Sequence, residues 1–128
     1  MARRLISSGG PYEGRYGYSR AVVVGDMCWV AGTTDAGPDG KSLHPGDPGA
    51  QARAVFAIIE QALDEGGFSL AHVVRTRMLV TDLAASRVVT EVHGEVFRDI
   101  RPAATIAEVS ALIDPSLLVE IEVDARRS

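Results

Sequence analysis

The sequence predicts an α+β domain in which two helices cover one face of a mixed β-sheet. Three observations lead there. Residues 73–82 and 118–125 alternate in side-chain character with the two-residue period of a strand. Residues 47–65 and 82–97 carry apolar side chains at helical spacing. Clusters of Gly, Pro and Asp separate these segments, as connections require.

The elements follow in order. "RRLISS" (3–8) reads as a short first strand, and "GGPYEGRYGY" after it as an irregular connection. "SRAVVVGDMCWVAGT" reads as two strands joined at Gly25-Asp26, with Val22 and Val24 on one face and Ala21 and Val23 on the other. Residues 35–49 form a loop ending in Asp47-Pro48, an N-cap followed by a proline suited to the first helical position. Ala52, Val55, Ile59, Ala62 and Leu63 line the first helix, and Gly66-Gly67 ends it. In the strand at 73–82, Val74, Thr76, Met78 and Val80 share a face opposite Arg75, Arg77 and Leu79. Asp82 is placed to cap a second helix lined by Val88, Val89, Val92, Val96 and Phe97. A last pair of strands, 103–112 and 118–125, is joined through Ile113-Asp114-Pro115-Ser116. Several strands are apolar on both faces, yet one layer of two helices covers only one. The open face is therefore expected to be buried by self-association, or else its Ala and Val residues serve β structure alone.

The chain has 128 residues, the size of a single domain spanning 1–128. Hydrophobic residues make up 46% and aromatics only 5%, so the core is expected to be built from small and branched side chains. A net charge of −4 argues against a partner held through nucleic-acid phosphates. Cys28 is the sole cysteine, which excludes an intrachain disulfide and a zinc site of several thiolates. No segment reaches the length of a membrane span, so a reducing, cytoplasmic setting is expected.

Few residues are placed to do chemistry. In "VEIEVDA", Glu120, Glu122 and Asp124 share one face of the last strand. Glu122 and Asp124 read as a polar surface. Glu120 enters the strand beside the Pro115 loop, where partial burial would raise its pKa and suit it to proton transfer. Tyr18 closes a glycine-rich segment and can donate a phenolic hydrogen bond or simply pack, with Tyr12 and Tyr16 weaker candidates. Thr33, after Gly32, can line a pocket, and Arg101 and Arg20 can each grip a carboxylate or lie on the surface. Trp29 reads as core or interface, Cys28 as core, and His44, His72 and His93 as solvated or helix-packing, without metal-ligand spacing. No phosphate-binding glycine loop or nucleophile elbow is present.

Taken together, "YSRAVVVGDMCWVAGT", "VVRTRMLVTDL", "HGEVF", "RPAATIAEVSAL" and "VEIEVDA" resemble the RidA family, also called the YjgF family, across nearly the whole chain. The resemblance implies a chorismate-mutase-like α+β fold. It also implies a homotrimer with the sheets facing the inside and small-molecule sites in clefts between subunits. It further implies hydrolysis of imine or enamine intermediates to 2-keto acids and ammonia, without metal or organic cofactor. Carried over by position, the family tyrosine and glutamate are retained as Tyr18 and Glu120. Its substrate-carboxylate arginine is Ala104, its serine Ala31, its glutamine Thr33 and its helix asparagine Thr90. Losing a charge-assisted clamp costs a few kcal/mol, on the order of a hundredfold in binding. Arg101 is close in sequence, but strand parity puts it on the face opposite Ala104. The resemblance thus implies a divergent member. Either it deaminates a small imine or related C–N substrate anchored differently, or it is a non-catalytic small-molecule-binding or protein-interaction trimer.

Overall fold

A computed structural model describes residues 2–128. The chain runs β1 (Arg3–Ile6), α1 (Tyr12–Tyr16), β2 (Ala21–Val24), β3 (Met27–Thr33), α2 (Pro48–Glu65), β4 (Val73–Val80), α3 (Ser86–Phe97), β5 (Ala103–Glu108) and β6 (Val119–Arg126). The strands form one six-stranded sheet in the order β1-β2-β3-β6-β4-β5. β4 and β5 are parallel, joined across α3, and the other neighbours are antiparallel.

The sequence signals account for most of these boundaries. Asp47 caps α2 by accepting a hydrogen bond from Ala50 N at 3.0 Å, with Pro48 as the first helical residue. Gly67 then turns the chain at φ +84°. Gly25 at φ +59° makes the two-residue turn between β2 and β3. Asp82 accepts from Ala84 N at 2.9 Å, but it caps a single 3₁₀ turn at Leu83–Ala85 that runs on into α3.

Three expectations are corrected. The segment read as irregular contains α1, which Gly17 ends at φ +76°. The two last strands are not a pair: β6 lies between β3 and β4, β5 lies outside β4, and β5 stops at Glu108 rather than residue 112. The alternation of β4 also breaks at its start. Val73 pairs with Ala125 and Arg75 with Asp124, so Val74 is the extra residue of a bulge and faces solvent while Val73 is buried.

β6 is central because one of its faces is entirely apolar. Val119, Ile121, Val123 and Ala125 are fully buried against α2 and α3, together with Val30, Met78 and Val80 from its neighbours. Phe56, Ile59, Leu63, Val89, Val92 and Phe97 supply the helix side of this core. His93 belongs to it: Nε2 lies 2.9 Å from the Thr76 hydroxyl, the ring packs on Phe56 and Phe97, and burial lowers its pKa. Cys28 is a core residue whose thiol pKa is pushed up to about 11 by burial, which holds it in the unreactive form.

Neither α2 nor α3 covers the sheet's other face. The register places Leu5, Val22 and Trp29 in a row across β1, β2 and β3, with Asp124 of β6 next to Trp29. Leu5 and Trp29 are exposed, so Trp29 lies on this open face and not in the core. Towards β4, Arg77 pairs with Glu122 at 3.0 Å and approaches Asp124 at 3.8 Å. Among the described residues no helix is long and apolar enough to cross a membrane.

Candidate active site at the β3 bulge

The ladder between β3 and β6 slips once. Val30 pairs with Val123, and the next pair is Thr33 with Ile121, so β3 uses three steps where β6 uses two. The extra residue leaves the Ala31 and Gly32 carbonyls outside the regular ladder. A bulge of this kind bends its strand and re-aims side chains. Arg20 supports it: Nη2 donates to Gly32 O at 2.7 Å and to Ala31 O at 3.1 Å, and the Thr33 hydroxyl donates to Ala31 O at 2.8 Å.

The bulge makes room for Glu120. A Cβ on Gly32 would fall 2.1 Å from Glu120 Oε2, so the carboxylate lies directly on the glycine backbone and a side chain there would displace it. Glu120 is half-buried, and no hydrogen bond from the described residues reaches its carboxylate. Burial raises its pKa above the usual glutamate value; the Arg20 charge opposes that shift and Glu122 adds to it.

Around this carboxylate opens a cleft of about 570 Å³ lined by Glu120, Gly32, Arg20, Thr34, Ile113 and three tyrosines, with Ala31 beside them. Tyr12 and Tyr16 come from α1, where a four-residue spacing puts their rings side by side, 6.0 Å apart at 25°. The α1 segment is tied back by Glu13, whose carboxylate accepts the Ser8 N–H at 2.8 Å and the Ser8 hydroxyl. Tyr18 follows directly, its N–H bonded to Glu13 O at 3.0 Å.

Of the residues singled out from sequence, one chain brings Tyr18 and Glu120 together. Thr33 is fully buried and faces the core, because the bulge inverts the parity beyond Val30; Thr34 takes the place in the cleft wall. Thr90 is exposed on α3, its hydroxyl donating to the Ser86 and Arg87 carbonyls of its own helix. Arg101 is exposed at φ +58°, and its N–H bonds to Phe97 O at 2.9 Å, so it closes the turn after α3 away from the cleft. Ala104 pairs with Thr76 on β5, with β4 lying between it and β6. Since Ala107 and Glu120 both pair with Leu79, Ala104 has the parity of the opposite face. Arg20 shares the cleft wall with Glu120, and its charge acts on that carboxylate. Sequence reasoning gave Tyr12, Tyr16 and Gly32 little weight and did not consider Ile113 or Thr34. The tyrosine spacing was legible, but where the helix packs was not.

A six-stranded mixed sheet with helices on one face, and an acid seated on a bulge in a tyrosine-lined cleft, defines a small α+β protein with a small-molecule-sized site. The family model described as endoribonuclease L-PSP matches residues 12–127, and the chain belongs to that family, the YjgF/RidA family. Rv2704 of Mycobacterium tuberculosis, a member of the YjgF/YER057c/UK114 family, is 48% identical, with a TM-score of 0.89 covering 98% of this chain and 100% of that one. The SCO2049 protein of Streptomyces coelicolor is 37% identical over 127 residues, 98% of this chain and 93% of that protein. A RutC family protein of Pyrococcus abyssi is 34% identical over 105 residues, 82% of each.

Proposed function

We propose that the chain hydrolyses a small imine or enamine in this cleft without a cofactor, with Glu120 moving the proton. Water adds to the C=N carbon while a proton reaches the nitrogen. The resulting amino alcohol loses ammonia as its hydroxyl proton departs, leaving a carbonyl. An acid of raised pKa to which none of the described residues hydrogen-bonds supports this reading: burial makes it keep its proton to higher pH than an exposed glutamate would, and it is free to pass that proton to a bound molecule. Tyr18 lines the same space and can orient the substrate or the water.

The exposed row of Leu5 and Trp29 beside Val22 supports assembly through the open face, with three copies as the family resemblance implies and the clefts lying near subunit borders. A cytoplasmic setting belongs to the same reading. RNA cleavage, which the family model's description names, has less support, since a net charge of −4 offers no basic track for phosphates.

The test is ammonia release from freshly generated imines by the wild type and Glu120→Gln, with light scattering on both. The expected result is acceleration over the uncatalysed rate by the wild type, a loss on the order of a hundredfold or more in the variant, and the same trimeric mass for each. Equal rates in both proteins would remove Glu120 from the chemistry.

A further inference from the structure

We infer that the cleft selects an imine with an aryl or extended apolar body and no carboxylate, an inference that rests on the reading of Glu120 above.

The first observation is where the tyrosines are. The chain has three, and all three line this one cleft. They are not core residues: Tyr12 is 55% exposed, Tyr16 65% and Tyr18 50%. Ile113 joins them in the wall at 92% exposure. Large apolar groups left in water around an acid provide contact area and ring faces for a bound molecule. In a protein with only 5% aromatic residues, this concentration sets the character of the site.

The second observation concerns charge. The strongest and most specific side-chain grip on a substrate carboxylate is a two-nitrogen edge of a guanidinium. Arg20 is the cation in the wall. Both two-nitrogen edges of its guanidinium include Nη2, which is already committed to the Ala31 and Gly32 carbonyls, and Nε is enclosed. Arg20 therefore acts as a positioning residue that holds the bulge under Glu120. Ala104 brings no charge, and Arg101 lies elsewhere. An uncharged imine, or its iminium facing Glu120, satisfies the site, whereas a carboxylate would enter beside Glu120 with no free fork to receive it.

The reaction for such a substrate is R–CH=NH + H₂O → R–CHO + NH₃, with R an arylalkyl group. The test compares two imines made in place by amine oxidation, an arylalkyl aldimine and the imino acid derived from alanine, using wild type and Tyr16→Ala. Tyr16 is exposed on a short helix, so the variant is expected to fold. The wild type should favour the aldimine by about tenfold or more in kcat/KM. Tyr16→Ala should narrow that ratio about threefold to tenfold, carried by KM. Binding of the parent arylalkylamine, followed by calorimetry on both proteins, separates the two ideas. Amine binding weakened by the substitution, with neither imine hydrolysed, would retain the aryl preference and retire the chemistry. Hydrolysis of the alanine-derived imine with no amine binding would overturn the preference and retain the chemistry. Neither hydrolysis nor binding would sink both.

Discussion

Asp35 and Glu120 are both acids drawn out of water, and they differ in what meets them. Asp35 is 1% exposed, and its Oδ2 takes the Ser42 hydroxyl at 2.8 Å, the His44 N–H at 3.2 Å and the His44 ring Nδ1 at 3.0 Å. The same loop is bound to the rest of the protein through Gln51. Its Nε2 donates to His44 O at 3.1 Å and Ser116 O at 3.0 Å, and its Oε1 accepts from Leu118 N at 2.8 Å. Glu120 sits at the other end of Leu118-Val119, on Gly32, with an open cleft before it and no hydrogen-bond partner among the described residues. Although none of the described residues reaches the buried Oδ1 of the first acid, hydrogen bonds to Oδ2 turn that acid into architecture. Desolvation without them leaves the second with a proton to exchange. The two regions are coupled in the chain, because the loops stapled by Gln51 carry Thr34 and Ile113 into the cleft wall.

The comparison can be broken most forcefully from the structural side. Gln51→Leu removes three hydrogen bonds at a fully buried position and leaves Leu118 N and Ser116 O without partners, while His44 O keeps the Asp47 N–H at 3.2 Å. It should cost about 3 kcal/mol in urea unfolding. A loss below about 1 kcal/mol would mean the staple is dispensable. From the reactive side, Gly32→Ala should leave the fold in place, since the atoms nearest the added methyl belong to the Glu120 side chain, yet it pushes the carboxylate off its seat. Ammonia release should fall on the order of tenfold to a hundredfold at nearly unchanged Tm, as a displacement of about 1 Å in a reacting group can do. Full activity in this variant would detach the bulge from catalysis.

The smallest effect is a pH dependence. Glu120 has a folded pKa above its reference of 4.5, so its protonated form favours the fold. That contribution is fully present below about 4.5 and is lost as pH rises through the raised value. Glutamine stays neutral throughout, so the Tm of Glu120→Gln relative to wild type should climb as pH rises above about 4.5 and through the raised value. A difference that stays constant over that window would contradict the burial of this acid.

Much of this molecule was legible as local pattern. Asp47-Pro48 and Gly66-Gly67 bracket α2, and the alternation in "VEIEVDA" correctly set Glu120, Glu122 and Asp124 opposite the core residues Val119, Ile121 and Val123. Gln51 was not singled out, although it stands four residues before Val55 on the apolar face of α2, a polar side chain at a core position that calls for buried partners. Thr33, named from its place after Gly32 at a strand end, is buried because β3 carries a residue inserted relative to β6, which no pattern along one strand reveals. Val74 fell on the wrong face for the same reason.

Backbone periods and capping groups within a few residues were enough to define α2, α3 and the two faces of β6, since each of these is settled locally. Only the tertiary structure decided that β6 lies between β3 and β4, that β3 bulges at Ala31 and Gly32 under Glu120, and that the α1 tyrosines meet that acid while Ala104 lies on a strand beyond β4. Strand order and register are settled by burial and hydrogen bonding summed over distant segments, and no period along one segment carries that sum.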